Sequence, residues 1–136
     1  MSVFQNIITR TPIDKGWSGD QKYCAITADG QKYLLRISTI DRLERKRREY
    51  EKMSEVAQLG ISMCMPVKFG TCDEGAYSIQ SWIDGVDAEE TIPTLSATVQ
   101  YHLGIEAGLI LRQIHTIPAP IDTPSWELRF NAKMDK

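Results

Sequence analysis

KYLLRISTIDRLERKRREYEKM, residues 32–53, changes its pattern halfway along. Up to Ser38 it alternates: Tyr33, Leu35 and Ile37 share one face of an extended strand, and Leu34, Arg36 and Ser38 share the other. Beyond Asp41 the apolar positions Leu43, Tyr50, Met53, Val56 and Ala57 recur at helical spacing. Asp41 followed by Glu44 has the form of a capping box, and Gly60 is a stop signal. A strand carrying Arg36 therefore leads straight into a helix carrying Glu49 and Glu51. Two readings follow. Either Arg36 faces solvent beside a solvated helix, or a cation and a carboxylate meet across the strand–helix crossing to hold a phosphate.

Upstream, KYCAITADGQKYLLRIS (22–38) places Asp29-Gly30 between two strand-like runs. This predicts a tight hairpin turn with positive φ at both central residues. DKGWSGDQ (14–21) is a glycine-containing loop, and VFQNIITRTPI (3–13) is a first strand, with room for a turn before it. Downstream, CMPVKFGTCDEGAYSIQSWIDG (64–85) predicts two strands joined at Asp73-Glu74-Gly75. VDAEETIPTLS (86–96) reads as a linker. From Ser96, the stripe Val99, Leu103, Ala107, Ile110, Leu111 and Ile114 predicts a long helix, closed by Pro118-Ala119-Pro120. The tail from Ile121 is polar, with Trp126 and Phe130, and looks like the start of a further element. The expected fold class is α+β: a mainly antiparallel sheet with one packed helix, then a linker and a helix opening a second, helical unit.

Composition excludes several classes. The chain has 136 residues, 42% apolar and 25% charged, as in an ordinary globular protein. A net charge of −2 gives no global attraction to nucleic acid or an anionic membrane. The basic run Arg45–Arg48 shares its helix with Asp41, Glu44, Glu49, Glu51 and Glu55, so it reads as a solvated face. No apolar run approaches the roughly 20 residues of a membrane span, and the first fifteen residues lack the order of a signal peptide. Cys24, Cys64 and Cys72 are an odd count without metal-ligand spacing, which suits reduced thiols in the cytoplasm. His115 closes the long helix without a nucleophile or metal ligand beside it, and no catalytic role is expected of it.

Five pieces, in order, resemble the amino-terminal half of the aminoglycoside phosphotransferase family, relatives of choline kinases with a protein-kinase-like fold. They are GWSGDQKY, KYLLRI, RREYEKMSEVAQLGI, SIQSWIDG and LSATVQYHLGIEAGLILRQIHTIPAP. The resemblance implies a nucleotide-binding lobe over 1–84, then a connector and the truncated beginning of a helical lobe over 85–136. It implies that Gly16, Ser18 and Gly19 form the loop over the nucleotide phosphates. Arg36 stands where the family usually has a lysine that contacts the α- and β-phosphates. This departure keeps the charge but changes the shape and aim of the donor. Glu49 is implied as the helix carboxylate that orients this cation, with Glu51 as the runner-up. Only one of them can face the sheet, because residues two apart lie about 200° apart around a helix. The Ser81 carbonyl and the Ile83 amide are implied as the groups that read adenine.

The implied cofactor is ATP or GTP with Mg2+, and the implied partners are the nucleotide and a small acceptor such as an amino sugar or a choline-like alcohol. The family's H-x-D-x-x-x-x-N loop and its later D-x-D-type segment do not occur in these residues. The chain alone is therefore expected not to turn over, its metal ligands lying in the missing half. The rival expectation is a non-catalytic binding module that forms homo-oligomers through the exposed face of helix 96–115.

Overall fold

The computed structural model describes residues 3–135; residues 1, 2 and 136, and with them the outer limits of the two expected units, lie outside it. Five antiparallel strands form one sheet: β1 (Ile7–Pro12), β2 (Gln21–Thr27), β3 (Lys32–Ser38), β4 (Pro66–Cys72) and β5 (Gly75–Ser81). Their order is β1-β2-β3-β5-β4, so β5 slots between β3 and the later edge strand β4. Helix α1 (Leu43–Ala57) fills the β3-to-β4 connection and packs on β4 and β5. The α+β architecture expected from the sequence is the one found.

Alternation along β3 and β5 divides the sheet into two unlike faces. Leu35, Ile37, Tyr77 and Ile79 join Ala25 of β2 in the buried core. Leu35 and Ile79 are fully buried, each worth about 2 kcal/mol of apolar transfer. The amino-terminal segment covers this face: Val3–Asn6 form a 3-10 turn, and Phe4 stacks on Tyr77 with ring centroids 4.1 Å apart. The first strand is thus shorter than expected and starts at Ile7. The opposite face carries Arg36, Ser38, Ser78 and Gln80, and α1 lies over it.

Three local expectations need correction. The hairpin does not use a two-residue turn at Asp29-Gly30. Gly30 has φ 82°, but among the described residues none other than glycine has positive φ, and Gly30 N–H donates to the Thr27 carbonyl at 2.9 Å. The chain turns within Thr27–Gly30, glycine takes the left-handed position, and Asp29 is spared the strain of positive φ. The capping box at Asp41 and Glu44 is also absent. A 3-10 turn over Ile40–Arg42 leads into α1, Arg42 N–H donates to the Thr39 carbonyl, and the helix N-cap has no side-chain acceptor. Asp41 instead accepts from the Thr39 side chain. Finally, the segment read as a linker contains a short helix, α2 (Ala88–Thr91), and a 3-10 turn over Ile92–Thr94. Asp87 caps α2 by accepting from Glu89 N–H at 2.9 Å.

The long helix α3 spans Ala97–Ile114, with Ser96 as its N-cap accepting from Val99 N–H at 3.3 Å. It has no buried residue. The tail forms α4 (Trp126–Met134), in which Trp126 and Phe130 stack at 4.8 Å. Among the described residues no helix is long and apolar enough to cross a membrane.

Candidate functional site

The loop between β1 and β2 carries Gly16 and Gly19 at φ 91° and 69°, a backbone that other residues adopt only with strain. A Cβ on Gly16 would lie 2.8 Å from the Lys22 ammonium, the mobile end of a long side chain, so the backbone angle and not space is what calls for glycine there. Ser18 Oγ accepts from Asp20 N–H at 3.4 Å. Beside the loop is a hollow of about 280 Å3, lined by Gly16, Gly19, Asp20 and Lys22 among others. Lys15 reaches across to the segment after β5, pairing with Asp87 and, at 3.3 Å, with Glu90. The Asp87 pairing raises the Lys15 pKa and lowers that of Asp87.

The loop ends at Asp20, whose side chain is only 1% exposed. Its carboxylate is the hub of the polar face. Oδ1 accepts from the Ser38 hydroxyl at 2.7 Å. Oδ2 accepts from Arg36 Nη2 at 2.7 Å and from Lys46 Nζ at 2.9 Å. Burial pushes the Asp20 pKa up, but the Ser38 hydroxyl, the Lys46 ammonium and the Arg36 guanidinium outweigh it and hold the carboxyl below its usual range. Lys46 Nζ continues to Glu49 Oε2 at 2.8 Å, and Arg45 lies 3.5 Å from the other Glu49 oxygen. Three cations and two carboxylates thus form a continuous network, and all but Arg45 line one small cavity of about 30 Å3 between sheet and helix.

This geometry corrects the expected pairing. Arg36 and Glu49 border the same cavity, but Arg36 takes its carboxylate from the loop and not from the helix. The reason is reach: Asp20 arrives at the end of β3 already anchored by Ser38, while Lys46, one turn before Glu49, stands between Glu49 and the strand. Glu51 is exposed and does not line the cavity. Lys46 also corrects the reading of Arg45–Arg48 as a wholly solvated face, since its side chain is 12% exposed. Sequence reasoning missed Asp20 and Lys46, although a signal existed. Lys46, Tyr50 and Met53 recur at i, i+4 and i+7, which places the lysine on the stripe that meets the sheet.

The connector begins at the other end of β3, where Tyr33 pairs with Ser81. Ser81 N–H donates to the Met65 carbonyl at 2.8 Å and its hydroxyl accepts from Met65 N–H at 2.8 Å, which pins the strand end. Ile83 is exposed just beyond it, and Lys32 pairs with Asp84 at 3.2 Å. By register β3 runs between the loop glycines and the connector, with Arg36 nearer the loop, while Lys15 bridges from the loop to the segment after β5. Among the described residues no group of three or more His, Cys, Asp or Glu side chains is placed to hold a metal ion.

A comparison with curated proteins finds no match. The profile of the Phosphotransferase enzyme family (APH) does match, over residues 9–136, from within β1 through the loop, the Arg36 strand and both long helices. A sheet of this topology, with a partly buried ion network between β3 and α1, is thus the kinase-like amino-terminal unit of that family, and the chain belongs to the phosphotransferase enzyme family.

Proposed function

We propose that this chain is the nucleotide-binding portion of a small-molecule phosphotransferase acting in the cytoplasm. The parent reaction moves the γ-phosphoryl group of ATP or GTP to a hydroxyl of an aminoglycoside-like or choline-like acceptor. Residues 1–84 are the nucleotide lobe, and 85–136 are the connector and the opening of a helical lobe. The observation that carries the reading is Arg36. Its charge is held at the end of the glycine loop by the buried Asp20, yet its side chain stays 30% exposed. It therefore keeps donors free for an anion, because a guanidinium has five N–H groups.

In this reading the backbone amides around Gly16 and Gly19 and the Ser18 hydroxyl approach the phosphates, and Arg36 contacts the α- and β-phosphates. The Ser81 carbonyl and Ile83 amide read the base edge. Glu49 supports the network through Lys46. Phosphoryl transfer also needs metal-binding carboxylates and a residue that aligns the acceptor hydroxyl. Neither family motif for these occurs in the 136 residues.

Titration calorimetry with Mg·ATP and Mg·GTP tests the reading. Weak binding is expected, and Arg36→Ala abolishes it. Tight binding untouched by Arg36→Ala contradicts the site.

A second reading rests on α3. Val99, Leu103, Ile105, Leu109 and Leu111 point around the whole helix and all are exposed. A helix apolar on every side is one that something covers. In the first reading further helical chain covers it, and in the second, that of a non-catalytic module, a second copy of the chain does.

A further inference from the structure

We infer that Asp20 is the residue that positions Arg36 for a phosphate, a role that falls to the loop carboxylate and not to Glu49. The inference rests on the nucleotide reading of this site and deepens it. The two carboxylates differ in what holds them. Asp20 is 1% exposed and receives three donors, whereas Glu49 is 50% exposed. A charge-assisted bond to a buried carboxylate held by three donors outweighs one to a half-exposed side chain, which water and salt screen.

The geometry also defines direction. Ser38 holds Oδ1, so the carboxylate cannot swing, and Oδ2 then sets where Nη2 of Arg36 must lie. Lys46 shares the same oxygen from the helix side, and with Glu49 it brings the four buried or half-buried charges to neutrality. One end of the guanidinium is thereby fixed while its remaining N–H groups stay available. Asp20 is also joined directly to Gly19, so one residue ties the glycine loop to Arg36. Asp20 is a positioning residue, coupling loop to cation.

Two readouts on the 136-residue chain test this independently of each other. The first is the 15N NMR signature of the Arg36 guanidinium: wild type shows slowed rotation and resolved Nη signals. Asp20→Asn, which keeps an acceptor for Ser38 but removes the charge, collapses them to those of a free arginine. Glu49→Gln changes them less. The second is nucleotide affinity. Asp20→Asn weakens Mg·ATP or Mg·GTP about tenfold, the scale of one charge-assisted bond, while affinity for the matching nucleoside stays as in wild type. A merely structural role would weaken both ligands alike. Should Asp20→Asn fail to fold, Ser38→Ala frees the carboxylate to rotate without removing its charge and shows the same losses in smaller degree.

Arg36 signals unchanged in Asp20→Asn, or changed more by Glu49→Gln, overturn the inference, as does equal loss of nucleotide and nucleoside binding. A wild type that shows the slowed Arg36 guanidinium but binds no nucleotide overturns the nucleotide reading instead, and leaves Asp20 as the residue that holds Arg36.

Discussion

Gln80 shows how much the polar face of the sheet gives up in stability. It is buried on β5 beside the Arg36 cavity, and its Nε2 finds no hydrogen-bond partner among the described residues. A buried amide donor left unpaired costs about 1–3 kcal/mol. Gln80→Met keeps the length and removes the amide, so it is expected to raise the unfolding free energy by about 1 kcal/mol in urea denaturation. A loss of that size would show that the amide is serving a partner. The neighbouring charges behave in the opposite way, because both oxygens of Asp20 are engaged, one by Ser38 and the other by Arg36 and Lys46. At this scale the sequence was partly legible. Arg36 was visible as a cation in an apolar strand, but its partner was not, because nothing local joins position 20 to position 36.

Among the elements, α1 and α3 are opposites. α1 is a charge-rich helix whose inward stripe ends on aromatic contacts, with Tyr50 5.5 Å from Phe69 and Arg47 over the same ring. Ion pairs between Glu44 and Arg47 and between Lys52 and Glu55 lace its outer surface, and such pairs add only tenths of a kcal/mol. α3 carries apolar residues around its circumference, most of them exposed, with Ile110 and Ile114 half-buried. Exposed apolar surface on this scale drives association. The isolated chain is therefore expected to sediment as oligomers at micromolar concentration, and Leu103→Glu with Leu109→Glu shifts it toward monomer. A monodisperse wild-type monomer would contradict this. The extent of α3 was readable from Ser96 and the apolar spacing, whereas α2 was hidden in a polar, proline-containing stretch. Only the Asp87 cap, itself paired with Lys15 from the loop, shows why a single turn forms there.

For the molecule as a whole, acid is the expected weak point. The Asp20 carboxyl is held below its usual range despite burial, Asp29 is lowered by the Thr27 hydroxyl, Asp41 by Thr39 and Asp87 by Lys15. A carboxyl whose folded pKa lies below its unfolded value of about 4 contributes its full stability above that value and loses it as pH falls through the folded value. The urea midpoint is thus expected to hold steady near neutrality and to drop below about pH 4. Asp20→Asn should lower the midpoint at neutral pH and flatten that acid slope, because Asp29 and Asp41 are exposed and Asp87 only half-buried, which leaves solvent to screen all three. A midpoint unchanged down to about pH 2.5 would mean that these contacts contribute nothing in solution.

By itself the sequence determined the kinds of element and their order. Strand alternation, helical spacing, glycine loops and proline stops are local signals, acting over a few residues each. It also determined that a cation stands at position 36 ahead of an acidic and basic helix. Which carboxylate meets that cation was decided only in three dimensions. β2 and β3 pair in register and bring the end of the glycine loop to Ser38, and α1 crosses so that Lys46 falls between Glu49 and the sheet. Ion pairing depends on distance, and the distance between residues 20, 36 and 46 is a property of the folded sheet and helix together.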